Sequence, residues 1–203
     1  STSTLARLRS TPELRPHKNC VYHDKLIKYN KNMLNDKNLI NILNEKKYNY
    51  SLHKHSSLFS VEESKLYRGK IKGAHTKNLF LKNKKNDFFL ISCEEEDLIN
   101  LKEISKGLNL GNLSFAKEEY LTKYLGVKPG SVSPYALLND VKNHVNFYLE
   151  KKIIDSDLVN FHPLVNDLTV TMETKNFINF MIENKKKINI FSSSEVKLLE
   201  IYE

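Results

Sequence analysis

Residues 78–92 read NLFLKNKKNDFFLIS, in which two apolar runs, 78–81 and 88–92, flank a polar segment rich in lysine and asparagine. Short runs of Phe, Leu and Ile separated by Asn, Asp and Lys are typical of two strands joined by a turn. The segment therefore predicts a β-hairpin, and the rest of the fold is expected to assemble around it.

Further helices and strands are predicted on both sides of this hairpin. Leu39, Ile40 and Leu43 have helical spacing behind Asp36, which we expect to cap a helix. Helices are also predicted at 60–69, 98–108, 117–125 and 175–184, the first opened by a capping box and the last capped by Thr174. Strands are predicted at 50–55, 135–138, 145–149, 168–172 and 188–191, with a turn at 139–140.

Helices scattered among many short strands, some of them paired by tight turns, predict an α/β (α+β) fold with a mixed sheet. Residues 36–191 are expected to form this single compact domain. Residues 1–19 hold three of the four arginines and no apolar periodicity, so we expect a disordered leader, either an artificial extension or the remnant of a transit segment. Residues 192–203 are expected to form a tail or linker.

Composition limits the classes of function. The 203 residues carry a net charge of +8, which favours a polyanionic partner. No apolar run approaches the ~20 residues that span a bilayer, so no membrane partner is expected. Cys20 and Cys93 lie far apart without CxxC spacing, which suits a reducing compartment. His53 and His55 lack an acid or cysteine at ligand spacing, so no metal site is expected.

Three segments place polar residues where packing does not require them. The first, GAHTKNLFLK at 73–82, puts a lysine and an asparagine at the start of a buried strand, where an ammonium group could contact a phosphate or carbonyl. The second, GSVSP at 130–134, can turn sharply and present backbone N–H groups to an oxyanion. The third, NFHP at 160–163, sets a histidine before a proline, with Asn166 nearby.

Taken in order, these segments resemble the YbaK-type aminoacyl-tRNA deacylase family, in particular its prolyl-tRNA-synthetase-associated branch. The resemblance runs from about residue 48 to residue 191. It includes His55 with FSVEE at 59–63, LSFA at 113–116, LGVKPGSVSPYALLND at 125–140 and NFHPLVND at 160–167. The sequence departs from relatives at Ser56 and Ser57, where prolines are common.

The resemblance implies a mixed, barrel-like sheet flanked by helices, and it implies roles for individual residues. Lys77 is expected to be catalytic, together with the loop residues Gly130 and Ser131. Substrate-binding roles are expected for the remaining matched positions, namely His55, Asn78, Lys82, Val132, Ser133, Pro134, Asp140 and His162.

The resemblance also implies hydrolysis of mischarged aminoacyl-tRNA, with alanyl-tRNA(Pro) as the first substrate, without metal or cofactor. An aminoacyl ester is already activated, so positioning and backbone donors can supply the catalysis. Two alternatives remain open: the same fold acting on cysteinyl or seryl esters, and a catalytically silent tRNA-binding domain appended to prolyl-tRNA synthetase. The expected partners are tRNA and the synthetase. The expected compartment is the cytoplasm, or an organelle if residues 1–19 are a transit remnant.

Overall fold

The computed structural model describes residues 33–56 and 71–203. Strand β2 (Ala74–Lys82) pairs antiparallel with β3 (Phe88–Glu94), which confirms the predicted hairpin. Asn83 closes the turn, because its side-chain oxygen accepts from the amides of Lys85 and Asp87 at 2.9 and 3.0 Å. The polar segment of the sequence is therefore the connection, and the two apolar runs are the strands.

The remaining elements follow in chain order. The helices are α1 (Asp36–Glu45), α2 (Leu101–Gly107), α3 (Glu118–Tyr120), a π-helical turn (Leu121–Leu125), a 3₁₀ helix (Pro134–Asn139), α4 (Lys151–Ile154) and α5 (Thr174–Glu183). The other strands are β1 (Tyr50–Lys54), β4 (Ser114–Phe115), β5 (Val145–Glu150), β6 (Leu158–Phe161), β7 (Leu168–Glu173), β8 (Ile188–Ser192) and β9 (Lys197–Tyr202).

The strands form one sheet in the order β1-β7-β6-β2-β3-β5-β8-β9, with β4 paired to the end of β2. The pairs β2–β6, β3–β5 and β5–β8 are parallel, and the other pairs of this sheet are antiparallel. This large mixed sheet with flanking helices confirms the predicted α/β fold class. The parallel β3, β5 and β8 end at the same edge of the sheet, which is the edge where β2 begins.

The two faces of the sheet carry different cores. Phe80 of β2 belongs to the main core, which contains Tyr135, Phe161 and Phe177, whereas the neighbouring Leu81 belongs to a smaller cluster with Phe89, Ile91 and Phe191. Successive side chains of a strand point to opposite faces. Even-numbered residues of β2 therefore face the main core, and odd-numbered residues face the second side.

Some predicted elements are wrong in type or boundary. Residues 135–138 were expected to form a strand but lie in the 3₁₀ helix, because Pro134 has a preset φ and no N–H, and the Ser133 hydroxyl caps the Tyr135 amide. Asn35, not Asp36, caps α1. Thr174 lies inside α5, and its hydroxyl donates to the Ser156 carbonyl instead of capping the helix.

Three of the strands described above were not predicted: β4, β6 and β9. Strand β9 pairs antiparallel with β8, so the sheet extends into residues 192–203, which were expected to be a tail or linker. The leader at 1–19 and the helix at 60–69 lie outside the described residues. Within the described ranges no helix combines the length and apolarity needed to cross a bilayer.

Candidate functional site

Alternation along β2 separates the three polar residues that sequence analysis grouped together. Lys77 points to the second side of the sheet, whereas Asn78 and Lys82 point to the side of the main core. The Asn78 side-chain oxygen accepts from the Ser92 hydroxyl at 2.5 Å. Lys82 lies four residues further along the strand, at ~13 Å from Asn78 by strand rise, and its ammonium donates to Asn86 at 3.0 Å.

The Lys77 ammonium is half-buried and held by the turn that follows β3. It donates to the carbonyl of Glu95 at 3.2 Å and to the carbonyl of Asp97. Cys93, the residue opposite Lys77 on β3, is fully buried, and burial raises the pKa of its thiol to about 12. A protonated thiol carries no charge, so the nearest fixed partners of the ammonium are carbonyl dipoles.

A buried carboxylate anchors the turn that holds Lys77. Glu150, at the end of β5, accepts from the Glu94 amide at 2.9 Å and from the Ser193 hydroxyl, and burial raises the pKa of its carboxyl group. Both carboxylate oxygens of Asp97 lie 2.8 Å from the Lys152 ammonium. Burial acts to raise the Asp97 pKa, but the hydrogen bonds to Lys152 and Glu150 outweigh it and lower the pKa.

Two histidines predicted to bind substrate lie next to each other. The rings of His55 and His162 have centroids 5.9 Å apart. Nδ1 of His162 lies 2.7 Å from the Leu168 carbonyl, which can only accept, so Nδ1 carries the proton and Nε2 is an acceptor in the neutral ring. Burial lowers the His162 pKa, so the ring is neutral near pH 7. His55 is oriented by Thr169, at 3.0 Å from Nε2.

Lys77 lies on β2, and His162 directly follows the end of the neighbouring strand β6. The parallel pairing of β2 with β6 aligns Ala74 with Val159 and His75 with Asn160, and Lys77 and His162 each come two residues after the last aligned pair. The strand pairing ends there, and β2 gains its next contacts on this side at the Phe80 carbonyl, which accepts from Ala116, and at Leu81, opposite β4. Within the described part of the chain, residues 77–79 thus have no paired strand on this side, and we call this interval the β2–β6 opening.

Backbone groups of β2 also face this opening. The Phe80 carbonyl accepts from the Ala116 amide on that side at 3.0 Å. Backbone groups of alternate strand residues point the same way, so the amide and carbonyl of Asn78 point into the β2–β6 opening. The opening is therefore bordered by main-chain groups of β2, with Lys77 on the strand at one side and His162 after the strand at the other.

The loop at 130–134 lies against the segment that follows His162. Gly130 has φ +84°, a conformation that favours glycine, and a Cβ at this position would lie 3.6 Å from the Asn166 side chain. The Ser131 amide is used in a turn to the Lys128 carbonyl at 3.1 Å. The Val132 and Ser133 amides have no acceptor among the described residues, so they can donate to a ligand.

Pro134 and Ser133 fix the end of this loop. Both are buried, and the Ser133 hydroxyl is used to cap the 3₁₀ helix rather than facing a ligand. Val132 packs against the main core. The loop thus offers main-chain N–H groups on a rigid support, whereas the Ser133 hydroxyl and the Val132 side chain serve its own structure.

Asp140 was expected at the edge of the amino-acid pocket, but its contacts are structural. Its carboxylate accepts from the Val145 amide at 2.7 Å and lies 2.9 Å from Nδ1 of His144, and its carbonyl accepts from the Lys186 ammonium at 2.6 Å. The side chain is buried, so it anchors the start of β5. Neither Asp140 nor Lys82 contacts the residues around the β2–β6 opening.

Lys186 gives a pH dependence of stability that does not involve the site. Burial lowers its pKa from 10.5 to about 8. The unfolded chain therefore binds more protons than the folded chain between these values, so the free energy of unfolding should rise with pH through that window. Denaturant titrations from about pH 8 to about pH 9.5, below the tyrosine range, should show this rise in the wild type. It should vanish in Lys186→Met and persist in Lys187→Met, an exposed neighbour; equal slopes in both variants would contradict the assignment.

Several residues around the site were not predicted. Glu150 ends an apolar strand, and the side chains of Asn160 and Thr171, which hydrogen-bond to each other, are buried on the second side of the sheet. The two-residue period of a strand could have predicted that Lys77 and Asn78 lie on opposite faces of β2. The contacts of Glu150 could not be predicted in this way, because its partners lie 43 and 56 residues away in sequence. Within the described residues, no group of three or more His, Cys, Asp or Glu side chains is arranged to hold a metal ion.

Comparison with known proteins shows which family the chain resembles. The family model of the aminoacyl-tRNA editing domain matches residues 55–180. Prolyl-tRNA synthetase associated domain-containing protein 1 of Xenopus laevis is 37% identical over 132 residues, covering 63% of this chain and 78% of that protein. The prolyl-tRNA editing protein ProX of Acetoanaerobium sticklandii is 33% identical over 131 residues, covering 64% and 80%.

The fold is also found among solved structures. A crystal structure described as that of a candidate trans-editing enzyme for prolyl-tRNA synthetase superposes with a TM-score of 0.53 at 16% identity, covering 74% of this chain and 87% of that one. At that identity the likeness concerns the fold. Together with the family model, which spans more than half of the residues, it leads to one conclusion. The chain belongs to the aminoacyl-tRNA editing domain family.

Proposed function

We propose that this chain hydrolyses the ester between a small amino acid and the 3′ end of a transfer RNA, with alanyl-tRNA(Pro) as its principal substrate. The observation that supports the proposal is the β2–β6 opening, with Lys77 on β2 and His162 directly after the end of β6. The loop with the donor amides of Val132 and Ser133 lies against the segment after His162. ProX, a relative of this chain, is named as a prolyl-tRNA editing protein, which favours the same substrate class.

The proposed chemistry relies on positioning and charge stabilisation. Water attacks the ester carbonyl, the carbonyl oxygen becomes an oxyanion, and the ribose oxygen leaves with a proton. The free loop amides and the Lys77 ammonium stabilise the developing negative charge, which is commonly the largest single contribution to catalysis of acyl transfer. The neighbouring ribose hydroxyl of the substrate assists by orienting the water. The reaction written this way needs no metal or cofactor.

Release of Lys77 from its carbonyl partners is part of this proposal. In the absence of substrate the ammonium donates to the backbone carbonyls of Glu95 and Asp97. These carbonyls are neutral acceptors. An oxyanion or phosphate oxygen therefore competes favourably for the same protons, because charge-assisted hydrogen bonds are about twice as strong. The turn is held by Glu150 and by the Asp97–Lys152 ion pair. The Lys77 ammonium therefore donates to carbonyl groups of this turn, while the nearby Asp97 carboxylate is held by Lys152.

Selectivity for alanine is proposed to be steric, with His162 as a wall of the pocket. A filled site rejects a larger acyl group at a cost of ~1–3 kcal/mol. We expect the wild type to deacylate alanyl-tRNA(Pro) at least ~10-fold faster than prolyl-tRNA(Pro). His162→Ala should accelerate prolyl release, and His144→Ala, a matched change at an exposed ring, should not.

The test is a deacylation panel with alanyl, prolyl, cysteinyl and seryl esters of their transfer RNAs. Loss of each labelled amino acid is followed for the wild type and both histidine variants. If His162→Ala ignores prolyl-tRNA as the wild type does, the pocket assignment is wrong. If cysteinyl or seryl esters are cleaved faster than alanyl-tRNA, the fold acts on another amino acid.

A further inference from the structure

Two tyrosines form a half-exposed aromatic surface beside the main core. The rings of Tyr120 and Tyr124 are nearly parallel, 10° apart in plane, with centroids separated by 6.3 Å. Each packs against Phe88, at 4.9 and 4.7 Å between centroids. Neither hydroxyl has a hydrogen-bond partner among the described residues. The rings thus rest on the core along one edge and stay half-exposed, and the Tyr124 ring also lies 5.2 Å from the His144 ring, between centroids.

Lysines accompany both rings. The Lys82 ammonium lies 5.5 Å from the centroid of the Tyr120 ring, and the Lys123 ammonium lies 5.0 Å from that of Tyr124. Residues 82–87 and 117–128 contain six lysines and three acids, which are Asp87, Glu118 and Glu119. The surface is therefore net positive, with its aromatic faces next to its charges. We call it the Tyr120–Tyr124 surface.

This surface is linked along the chain to both parts of the candidate site. Lys82 is the last residue of β2, and its side chain lies on the same face of that strand as Asn78 and on the opposite face from Lys77. The π-helical turn with Tyr124 ends at Gly126, and the chain then runs directly into the loop at 130–134. Asn78 and Lys82 are separated by ~13 Å along β2. A ligand that reaches from the β2–β6 opening to the tyrosines must therefore be longer than an amino acid with one nucleoside.

We infer that the Tyr120–Tyr124 surface binds the unpaired nucleotides that precede the terminal adenosine of the transfer RNA. The inference rests on the proposed function and extends it from the ester to the RNA strand. Bases stack on aromatic side chains and phosphates pair with nearby lysines in proteins that bind single-stranded nucleic acid. The parallel rings supply stacking faces, and Lys82 and Lys123 supply the charges. Because Lys82 ends β2, the RNA strand would run along β2 from the tyrosines to the β2–β6 opening.

The test measures binding of a short, fluorescently labelled single-stranded RNA that ends in CCA, by fluorescence anisotropy. Replacing both tyrosines (Tyr120→Leu with Tyr124→Leu) keeps apolar cover over Phe88 but removes the stacking faces, so Kd should rise about tenfold or more. Lys123→Gln should lower the slope of log Kd against log salt by about 0.7. The matched controls are Tyr50→Leu on β1 and Lys175→Gln on α5, which should change neither quantity.

The outcomes separate this inference from the proposed function. Because the RNA probe carries no amino acid, its Kd can be measured even if the chain hydrolyses no ester. A Kd within about twofold of the wild type in the tyrosine variant overturns the inference. So does equal affinity for a blunt-ended duplex, since stacking requires unpaired bases. If the tyrosine variant does not fold, the salt slope of Lys123→Gln decides, because that exposed side chain can be changed without altering the core.

Discussion

Lys77→Met is expected to lower the rate of alanine release from alanyl-tRNA(Pro) by about 10²–10³-fold, the cost of losing one oxyanion donor. Methionine retains most of the length and apolar contact of the lysine stem but removes the ammonium group. In the wild type this group is held beside the β2–β6 opening by two carbonyls. The measurement is the single-turnover rate at saturating protein, so that weaker binding does not contribute.

The control for Lys77→Met is Lys102→Met, which makes the same chemical change at an exposed position of α2. It should hydrolyse the ester at the wild-type rate. Thermal unfolding of both variants should match the wild type within a few degrees, because the lost hydrogen bonds are to neutral acceptors worth about 1 kcal/mol each. A Lys77→Met protein that is folded and as fast as the wild type would remove Lys77 from the mechanism.

Tyr135→Ala is expected to lower the free energy of unfolding by about 3–5 kcal/mol. The ring is fully buried and makes edge-to-face contacts with Phe161, Phe177 and Phe180, with centroids 5.7–6.1 Å apart. Alanine leaves a cavity the size of the ring and removes all three contacts. Because Tyr135 directly follows Pro134, the same change should also loosen the loop that carries the donor amides.

Tyr135→Phe is the matched control, because it removes only the hydroxyl, which lies 3.5 Å from the Met172 sulfur. Its cost should be about 1 kcal/mol or less, the net worth of one ordinary hydrogen bond. Urea titration followed by far-ultraviolet circular dichroism gives both values. Equal losses in the two variants would mean that the hydroxyl, and not the ring, supplies the stability.

The parts of the fold that were predictable are those with a strong local signal. Apolar runs joined by a polar turn identified the β2–β3 hairpin correctly, since both strands are covered by the two cores. Residues 135–138 were wrongly predicted as a strand, because a short apolar run fits a strand and a buried helix equally well. Here Pro134 and the Ser133 cap favour the 3₁₀ helix. Strand β6 was missed because the buried Asn160 interrupts its apolar pattern.

The candidate site was predictable in part. Motif matches pointed to His55, His162 and Lys77; the structure brings the two rings together and places Lys77 on β2, the strand that pairs with β6. Asp140 matched a motif, yet its carboxylate is used at the start of β5, a contact that depends on tertiary structure. The contacts by which Glu150 holds the turn after β3 also depend on tertiary structure, because they join residues 94, 150 and 193. They could not be predicted from the sequence.

The most direct measurement is the time course of alanine release from alanyl-tRNA(Pro) with the wild-type chain, in a buffer that contains a metal chelator. The account predicts first-order loss of the ester at least ~100-fold faster than in buffer alone. Decay at the buffer rate, under conditions where the chain demonstrably binds the transfer RNA, would contradict it and would identify the chain as a tRNA-binding domain without hydrolytic activity.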